Sequence, residues 1–152
     1  MMYVSKETFI KDFAERTKAN YQKHQKGPYE ITQLINSMVG LLIIPEQRLY
    51  DKISDSLIDE CLLNKLKAPT CLKQYTYPNR LDLRQICRHL RNAIAHSNIE
   101  FEAIQPPIKT DPITIESIIL KDTDGSHFFE MKMSAALLEE FLFAFSDAVS
   151  KT

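Results

Sequence analysis

The sequence predicts a single all-α domain: an antiparallel bundle of about five helices with a small β-hairpin before the last helix. Apolar residues recur at helical spacing along most of the chain, and three glycines in 152 residues are few for a β-rich fold. The alternation of apolar and polar residues that is typical of strands predicts the hairpin. A chain of this length fits one domain with a sizeable core.

The first helix is predicted to begin at Ser5, a capping residue, and to end near Lys26, before Gly27-Pro28. Its apolar face comprises Phe9, Ile10, Phe13, Thr17 and Tyr21, with Ala14 beside them. The third helix is predicted over 49–67, followed by a connection over 68–80 that contains two prolines. Its inward positions are Ile53, Leu57, Ile58, Cys61, Leu62 and Leu66. Tyr75 and Tyr77 in the connection either pack on the helices or stack on a base.

The second helix, predicted from Tyr29 to Ile44 and ended by Pro45, has two stripes. One is apolar. The other is small and polar and consists of Gln33, Asn36, Ser37 and Gly40. A glycine in mid-helix costs up to about 1 kcal/mol relative to alanine, so it often marks close backbone approach. The polar stripe therefore indicates either tight packing within one subunit or a subunit interface that lines a cleft.

The fourth helix is predicted to start between Asn79 and Asp82, to run to His96 or just beyond, and to close at Ser97-Asn98. Its apolar face is Leu83, Ile86, Cys87, Leu90, Ala93 and Ile94. The opposite arc carries Arg84, Gln85, Arg88, His89, Asn92 and His96, with Arg91 on its border. Arginines and histidines gathered on one arc indicate contact with phosphate or RNA.

The β-hairpin is predicted from alternation over 114–121 and 127–133, with the turn signal Asp124-Gly125 between them. Ser134 is expected to cap the last helix. The apolar face of that helix is Leu137, Leu138, Phe141, Leu142, Phe145, Ala148 and Val149.

Charge and cysteine content limit the possible functions. With 19 basic and 20 acidic residues the net charge is −1, so any nucleic-acid contact is expected to be local, at Arg84, Arg88 and Arg91. The three cysteines and four histidines show no metal-ligand spacing, so the thiols are expected to be reduced and no metal or cofactor is expected. A charged N-terminus and the lack of a long apolar run predict a soluble cytoplasmic protein without membrane contact.

The segment Arg91-Asn92-Ala93-Ile94-Ala95-His96 resembles the signature of the HEPN superfamily, small all-α domains that include many RNA-cleaving toxins and defence nucleases. That signature is an arginine, usually a polar residue, and a histidine four to six positions after the arginine. The segment 30–47 also resembles an early helix of a plasmid- and phage-associated HEPN branch. The likeness covers the chain from about residue 10 onward.

The resemblance implies a metal-independent endoribonuclease, and the residues fit that chemistry. RNA supplies its own nucleophile, the 2′-hydroxyl, and a histidine can move the required protons. An arginine fork can hold the phosphate and stabilise its developing charge. Arg91 and His96 are the predicted catalytic residues and Asn92 is auxiliary. Arg88 and Arg84 are predicted to contact the substrate.

Helix geometry favours a dimeric site. Five residues of ideal helix separate Arg91 from His96 by about 140° around the axis, so the two side chains cannot both face one phosphate from a single helix. The resemblance implies a homodimer that pools two copies of the motif, and Gln33, Asn36 and Gly40 are the predicted interface and cleft lining. It also suggests a toxin or anti-phage role and a possible antitoxin or regulatory partner.

Other interpretations remain open at this stage. Arg91 can equally form a surface salt bridge, and His96 can serve as a C-terminal cap favoured by the helix dipole. A non-catalytic RNA- or nucleotide-binding protein with the same fold would bind RNA and leave it uncut. A purely structural or antitoxin-like interaction protein would show no RNA affinity.

Overall fold

The computed structural model describes residues 6–24, 30–104 and 114–151. Within these ranges the chain combines helices with a four-stranded antiparallel sheet, so the all-α prediction is wrong and the fold is mixed α/β. The predicted bundle of helices is present, but it packs on a sheet twice as wide as the hairpin expected from the sequence. No helix in the described ranges has both the length and the apolar character needed to cross a bilayer.

The helices are α1 (Lys6–His24), α2 (Glu30–Met38), α3 (Ile44–Leu49), α4 (Glu60–Lys67), α5 (Leu83–Ala95) and α6 (Ala135–Ser150). The strands are β1 (Leu72–Tyr75), β2 (Ile99–Ile104), β3 (Thr114–Asp124) and β4 (His127–Ser134). A π-helical turn, Val39–Ile43, joins α2 to α3, and two 3-10 turns, Tyr50–Lys52 and Asp55–Leu57, precede α4.

The sheet has the order β1-β4-β3-β2, and its centre is the predicted hairpin. Strands β3 and β4 pair from Ser117 with Ser134 to Asp124 with His127, which confirms the hairpin. Gly125 closes the turn with a φ of 58°, a conformation that glycine adopts without the steric cost other residues meet. Strand β2 then pairs with the outer edge of β3, and β1 with that of β4.

The two outer strands were not predicted. Strand β2 lies just after the predicted end of the fourth helix, and β1 lies in the predicted connection before that helix. Helix α5 stops at Ala95, because Ser97 adopts a left-handed φ of 57° and the Asn98 amide donates to the Ala93 carbonyl at 2.8 Å. This left-handed termination turns the chain into β2. Residues 99–104, IEFEAI, do alternate, so their sequence carried a strand signal. Strand β1 is short and has no such pattern, and it depends on its pairing with β4.

One face of the sheet is buried against the helices. On β3 the alternate residues Ile118 and Leu120 are fully buried, and on β4 Phe129 and Met131 are at most 1% exposed. The predicted apolar faces of α5 and α6 meet them. The α5 residues Leu83, Ile86, Cys87, Leu90 and Ala93 and the α6 residues Leu138, Phe141, Leu142 and Phe145 are all fully buried. Ser134 caps α6 as predicted, accepting a hydrogen bond from the Leu137 amide.

The predicted third helix is interrupted. Residues 50–52 and 55–57 form the two 3-10 turns, and the α-helix after them covers only 60–67. The N-terminus of α5 holds this segment in place, because Asp55 Oδ1 accepts a hydrogen bond from the Leu83 amide at 2.7 Å and Arg84 Nε donates to the Ile53 carbonyl at 3.2 Å. Cys61, predicted to point inward, is exposed, and Leu63 is buried instead.

Helix α1 also departs from its predicted face. Ile10, Ala14 and Tyr21 are buried, but Phe9 and Phe13 are 48% and 37% exposed. Their rings lie 5.7 Å apart and form an apolar pair on the surface. The apolar pattern of α1 is therefore wider than the face that the core covers.

Candidate functional site

The polar arc of α5 faces β3 over part of its length. Asp122 occupies the position after Ile118 and Leu120 on the inward stripe of β3, and it is only 8% exposed. Its Oδ2 atom lies 2.7 Å from His89 Nδ1 and accepts a hydrogen bond from Asn92 Nδ2 at 3.1 Å. A buried carboxylate thus ties two turns of α5 to the central hairpin.

His89 is an aromatic core residue and not part of an open arc. It is 4% exposed, and its ring lies 4.7 Å from that of Phe129 and 4.5 Å from that of Tyr77. Burial lowers the pKa of His89, and this effect outweighs the opposing effect of the Asp122 carboxylate. A neutral imidazole that donates its Nδ1 proton to Asp122 fits both observations.

Arg91 has a buried partner that the sequence analysis did not find. Its Nη1 donates to Glu46 Oε2 at 3.0 Å, and Glu46 is fully buried at the start of α3. Its Nη2 and Nε donate to Asn92 Oδ1 at 2.9 and 3.3 Å. Desolvation raises the pKa of the Glu46 carboxyl, and the Arg91 charge opposes that increase. The sequence left two roles open for Arg91, a catalytic residue or a surface salt bridge. The structure shows a salt bridge, and its acidic partner is buried.

These contacts form one continuous polar network, which we call the α5 network: Glu46, Arg91, Asn92, Asp122 and His89. It joins α3, α5 and β3 across sequence separations of 45 and 30 residues. Asn92, predicted to be auxiliary, is its central member. Asp122 could have been identified from the sequence, because it follows Ile118 and Leu120 at the two-residue period that defines one face of a strand. Glu46 carried no comparable signal.

A cavity of about 450 Å³ opens between α5, the connection before it and the β3–β4 turn. We call it the histidine cavity, because His89, His96 and His127 all line it. Arg88 and Asn92 lie in the same wall. Three of the predicted site residues, Arg88, Asn92 and His96, are therefore brought together, and His127 joins them from β4.

Arg91 lies in a different wall. It lines a neighbouring cavity of about 340 Å³ together with Glu46, Gln47 and Tyr50. Arg88 borders both cavities. Within one chain Arg91 and His96 thus face different spaces, which agrees with the angular separation calculated from ideal helix geometry.

The two predicted substrate arginines have different surroundings. Arg84 donates to the carbonyls of Ile53 and Asp51 and lies over the Tyr50 ring, so contacts within the chain account for it. Arg88 is exposed, and within the described ranges it forms no hydrogen bond or ion pair. Arg88 is the arginine that is available to a ligand beside His96.

The predicted interface stripe is divided. Gly40 is buried, and a Cβ there would lie 2.9 Å from Thr17 Cβ of α1, so close packing within one chain explains this glycine. Gln33 and Asn36 instead line a surface cavity of about 320 Å³ beside Phe13. In the part of the chain that the structure describes, no three His, Cys, Asp or Glu side chains are grouped so as to hold a metal ion.

Comparison with known protein families gives a match to the model described as HEPN pEK499 p136, and the match covers residues 1–152. No curated protein and no solved structure matches the chain significantly. The match confirms the family that the sequence analysis expected.

Replacing Arg91 with alanine should lower the free energy of unfolding by about 3 kcal/mol, because Glu46 would stay buried without its partner. The pKa of Glu46 is already raised in the folded protein, and removal of Arg91 raises it further. For an acid with a raised folded-state pKa, stability is greatest below the unfolded-state pKa and is lost as the pH rises through the folded-state value. Urea unfolding should therefore show a larger deficit at pH 8 than at pH 5.

Two further variants test this interpretation. Adding Glu46→Gln to Arg91→Ala should recover part of the stability at pH 8, because the unpaired charge is removed. Lys65→Ala breaks the exposed ion pair with Glu140 and should leave stability nearly unchanged. A deficit in Arg91→Ala that is small or independent of pH would contradict the role assigned to the pair.

Proposed function

The chain belongs to the HEPN family described as HEPN pEK499 p136, and on that premise we propose that it is a metal-independent endoribonuclease. The observation that carries the proposal is the histidine cavity, where His96 lies beside Arg88, a side chain without a hydrogen bond or ion pair to any described residue. An imidazole can transfer a proton and a guanidinium can bind the phosphate, and phosphodiester transesterification uses both of these functions.

The proposed reaction uses the 2′-hydroxyl of the substrate. As its proton is withdrawn, O2′ attacks the adjacent phosphorus and the bond from phosphorus to O5′ breaks. The products are a 2′,3′-cyclic phosphate and a 5′-hydroxyl. His96 transfers a proton in this scheme, and Arg88 stabilises the charge that builds on the phosphate oxygens. DNA lacks the nucleophile and should not be cleaved.

Arg91 retains a role as a phosphate contact. A guanidinium has five N–H donors, and the three hydrogen bonds to Glu46 and Asn92 leave two of them available. Its side chain is 26% exposed, in the cavity that Arg88 also borders. We place a neighbouring phosphate of the RNA there, with Asn92 holding the guanidinium in position. Arg84 donates to the carbonyls of Ile53 and Asp51, so we assign it the role of holding the segment 51–53 against α5.

We also propose that the protein forms a homodimer. The exposed ring pair Phe9 and Phe13 lies beside Gln33 and Asn36, so an apolar patch adjoins the polar stripe predicted to form the interface. An apolar centre with a polar margin is typical of subunit contacts. Gly40, enclosed by α1, is not part of the proposed contact.

The family and the chemistry together support a biological role as a toxin or anti-phage factor acting on cytoplasmic RNA, with an antitoxin or regulatory protein as partner. One observation favours an alternative, a non-catalytic RNA-binding protein. Arg91 of the motif is committed to Glu46, as a purely structural arginine would be.

RNA incubated with the purified protein in excess EDTA should be cleaved, and His96→Ala should lower the rate by about 100-fold or more. Arg88→Ala should weaken cleavage, whereas Arg80→Ala, which removes an arginine that is 81% exposed and precedes the same helix, should not. Electrophoresis of end-labelled RNA measures the rates. Cleavage that requires added metal would refute the mechanism, and unaltered cleavage by His96→Ala would refute the site.

Replacing Phe9 with glutamate should convert the proposed dimer into a monomer, because a charge in an apolar contact must be desolvated. Sedimentation equilibrium measures the mass. Phe101→Glu is the matched control, because Phe101 is equally exposed, at 48%, but lies on β2. A wild-type protein that sediments as a monomer, or a Phe9→Glu variant that stays dimeric, would contradict the proposed interface.

A further inference from the structure

We propose that His127 is the second proton-transfer residue of the RNA-cleaving centre, so that a single chain supplies both histidines of the reaction. This inference rests on the proposed ribonuclease function and makes it more specific. The HEPN signature within α5 contains one histidine, and the second group was expected from the partner's copy of the helix. The fold instead brings another histidine of the same chain to His96.

The chemistry requires two such groups. One must take the proton from O2′–H as the bond from O2′ to phosphorus forms. Another must give a proton to O5′ as the bond from phosphorus to O5′ breaks, so that one proton enters the protein and one leaves it. A histidine serves either step, because its pKa lies near neutral pH. No oxidant, reductant or further reactant is needed.

The two imidazoles reach the same cavity from different secondary-structure elements. His96 follows the last residue of α5, and His127 is the first residue of β4, directly after the tight turn at Gly125. Both line the histidine cavity of about 450 Å³, and Arg88 lies in the same wall. A phosphate held by Arg88 would thus have one imidazole on the helix side and one on the hairpin side.

His127 is supported without being blocked. Its ring lies 5.3 Å from that of Tyr77, and the Tyr77 hydroxyl donates to the Asp122 carbonyl at 3.4 Å. His127 is half-buried, and within the described ranges its side chain forms no hydrogen bond or ion pair. Its register is fixed by pairing with Asp124 across the turn. These contacts orient the ring and leave its nitrogens available.

His89 does not fit the role, although it lines the same cavity. Its Nδ1 is hydrogen-bonded to Asp122, and its Nε2 is buried with no hydrogen-bond partner among the described residues. The other titratable or charged groups around the cavity are Tyr77 from the connection, Arg88 from α5, and Asp122 and Asp124 from β3. Among the histidines of the cavity wall, His96 and His127 are the two with accessible rings.

The test is the pH dependence of RNA cleavage in EDTA for the wild type, His96→Ala and His127→Ala. The wild type should give a bell-shaped profile, because one histidine must be neutral and the other protonated. Each variant should lose about 100-fold in rate. Each should also lose one limb of the profile, and the two variants should lose opposite limbs. Added imidazole should restore part of the rate of His127→Ala.

The control is Ser126→Ala, a substitution at the exposed residue before His127, which should keep both the rate and the profile. Thermal unfolding verifies that each variant is folded, and His127→Gln replaces His127→Ala if the alanine variant is not. A His127 variant that keeps the rate, or loses rate evenly with both limbs intact, overturns the inference while the ribonuclease function stands. A wild type that cleaves no RNA overturns both.

Discussion

The buried ion pair between Glu46 and Arg91 is the constraint on which the rest of the site depends. A carboxylate with no solvent exposure is stable only when its charge is compensated, and Arg91 Nη1 lies 3.0 Å from Glu46 Oε2. Because Glu46 lies in the first turn of α3 and Arg91 lies near the end of α5, the pair fixes the rotation of α5 about its axis. That rotation determines which polar residues of α5 face the histidine cavity and which face the protein interior.

The rest of the α5 network completes the constraint. Asn92 accepts hydrogen bonds from Arg91 and donates one to Asp122, so the charge pair at α3 is linked to the hairpin. His89 anchors the same carboxylate from within an aromatic cluster. With these residues committed inward, Arg88 and His96 remain available at the cavity. The motif arginine thus serves mainly to hold the helix in place, and the neighbouring Arg88 is the more accessible cation.

Local signals in the sequence were sufficient for part of this structure. The Ser134 cap, the Asp124-Gly125 turn and most positions of the apolar faces of α5 and α6 depend on a few neighbouring residues, and the structure confirms them. Asp82, at the end of the range predicted for the start of α5, caps that helix. Strand β2 was missed although its residues alternate. Strand β1 was missed, because it pairs with a strand more than fifty residues away and has no alternation of its own. The polar partners of α5 were missed for the same reason, since Glu46 and Asp122 meet it only in the folded chain. The sequence analysis assigned no role to His127, because His127 and His96 line one cavity only when the sheet has formed.

A crystal structure with an RNA oligonucleotide whose 2′-hydroxyls are methylated would test the central claim most directly, because such RNA binds without being cleaved. We expect a phosphodiester in the histidine cavity, with a ring nitrogen of His96 within about 3 Å of the methylated O2′ or of O5′ and with Arg88 on its non-bridging oxygens. RNA bound on another face, or a cavity without RNA in a saturated complex, would contradict the account.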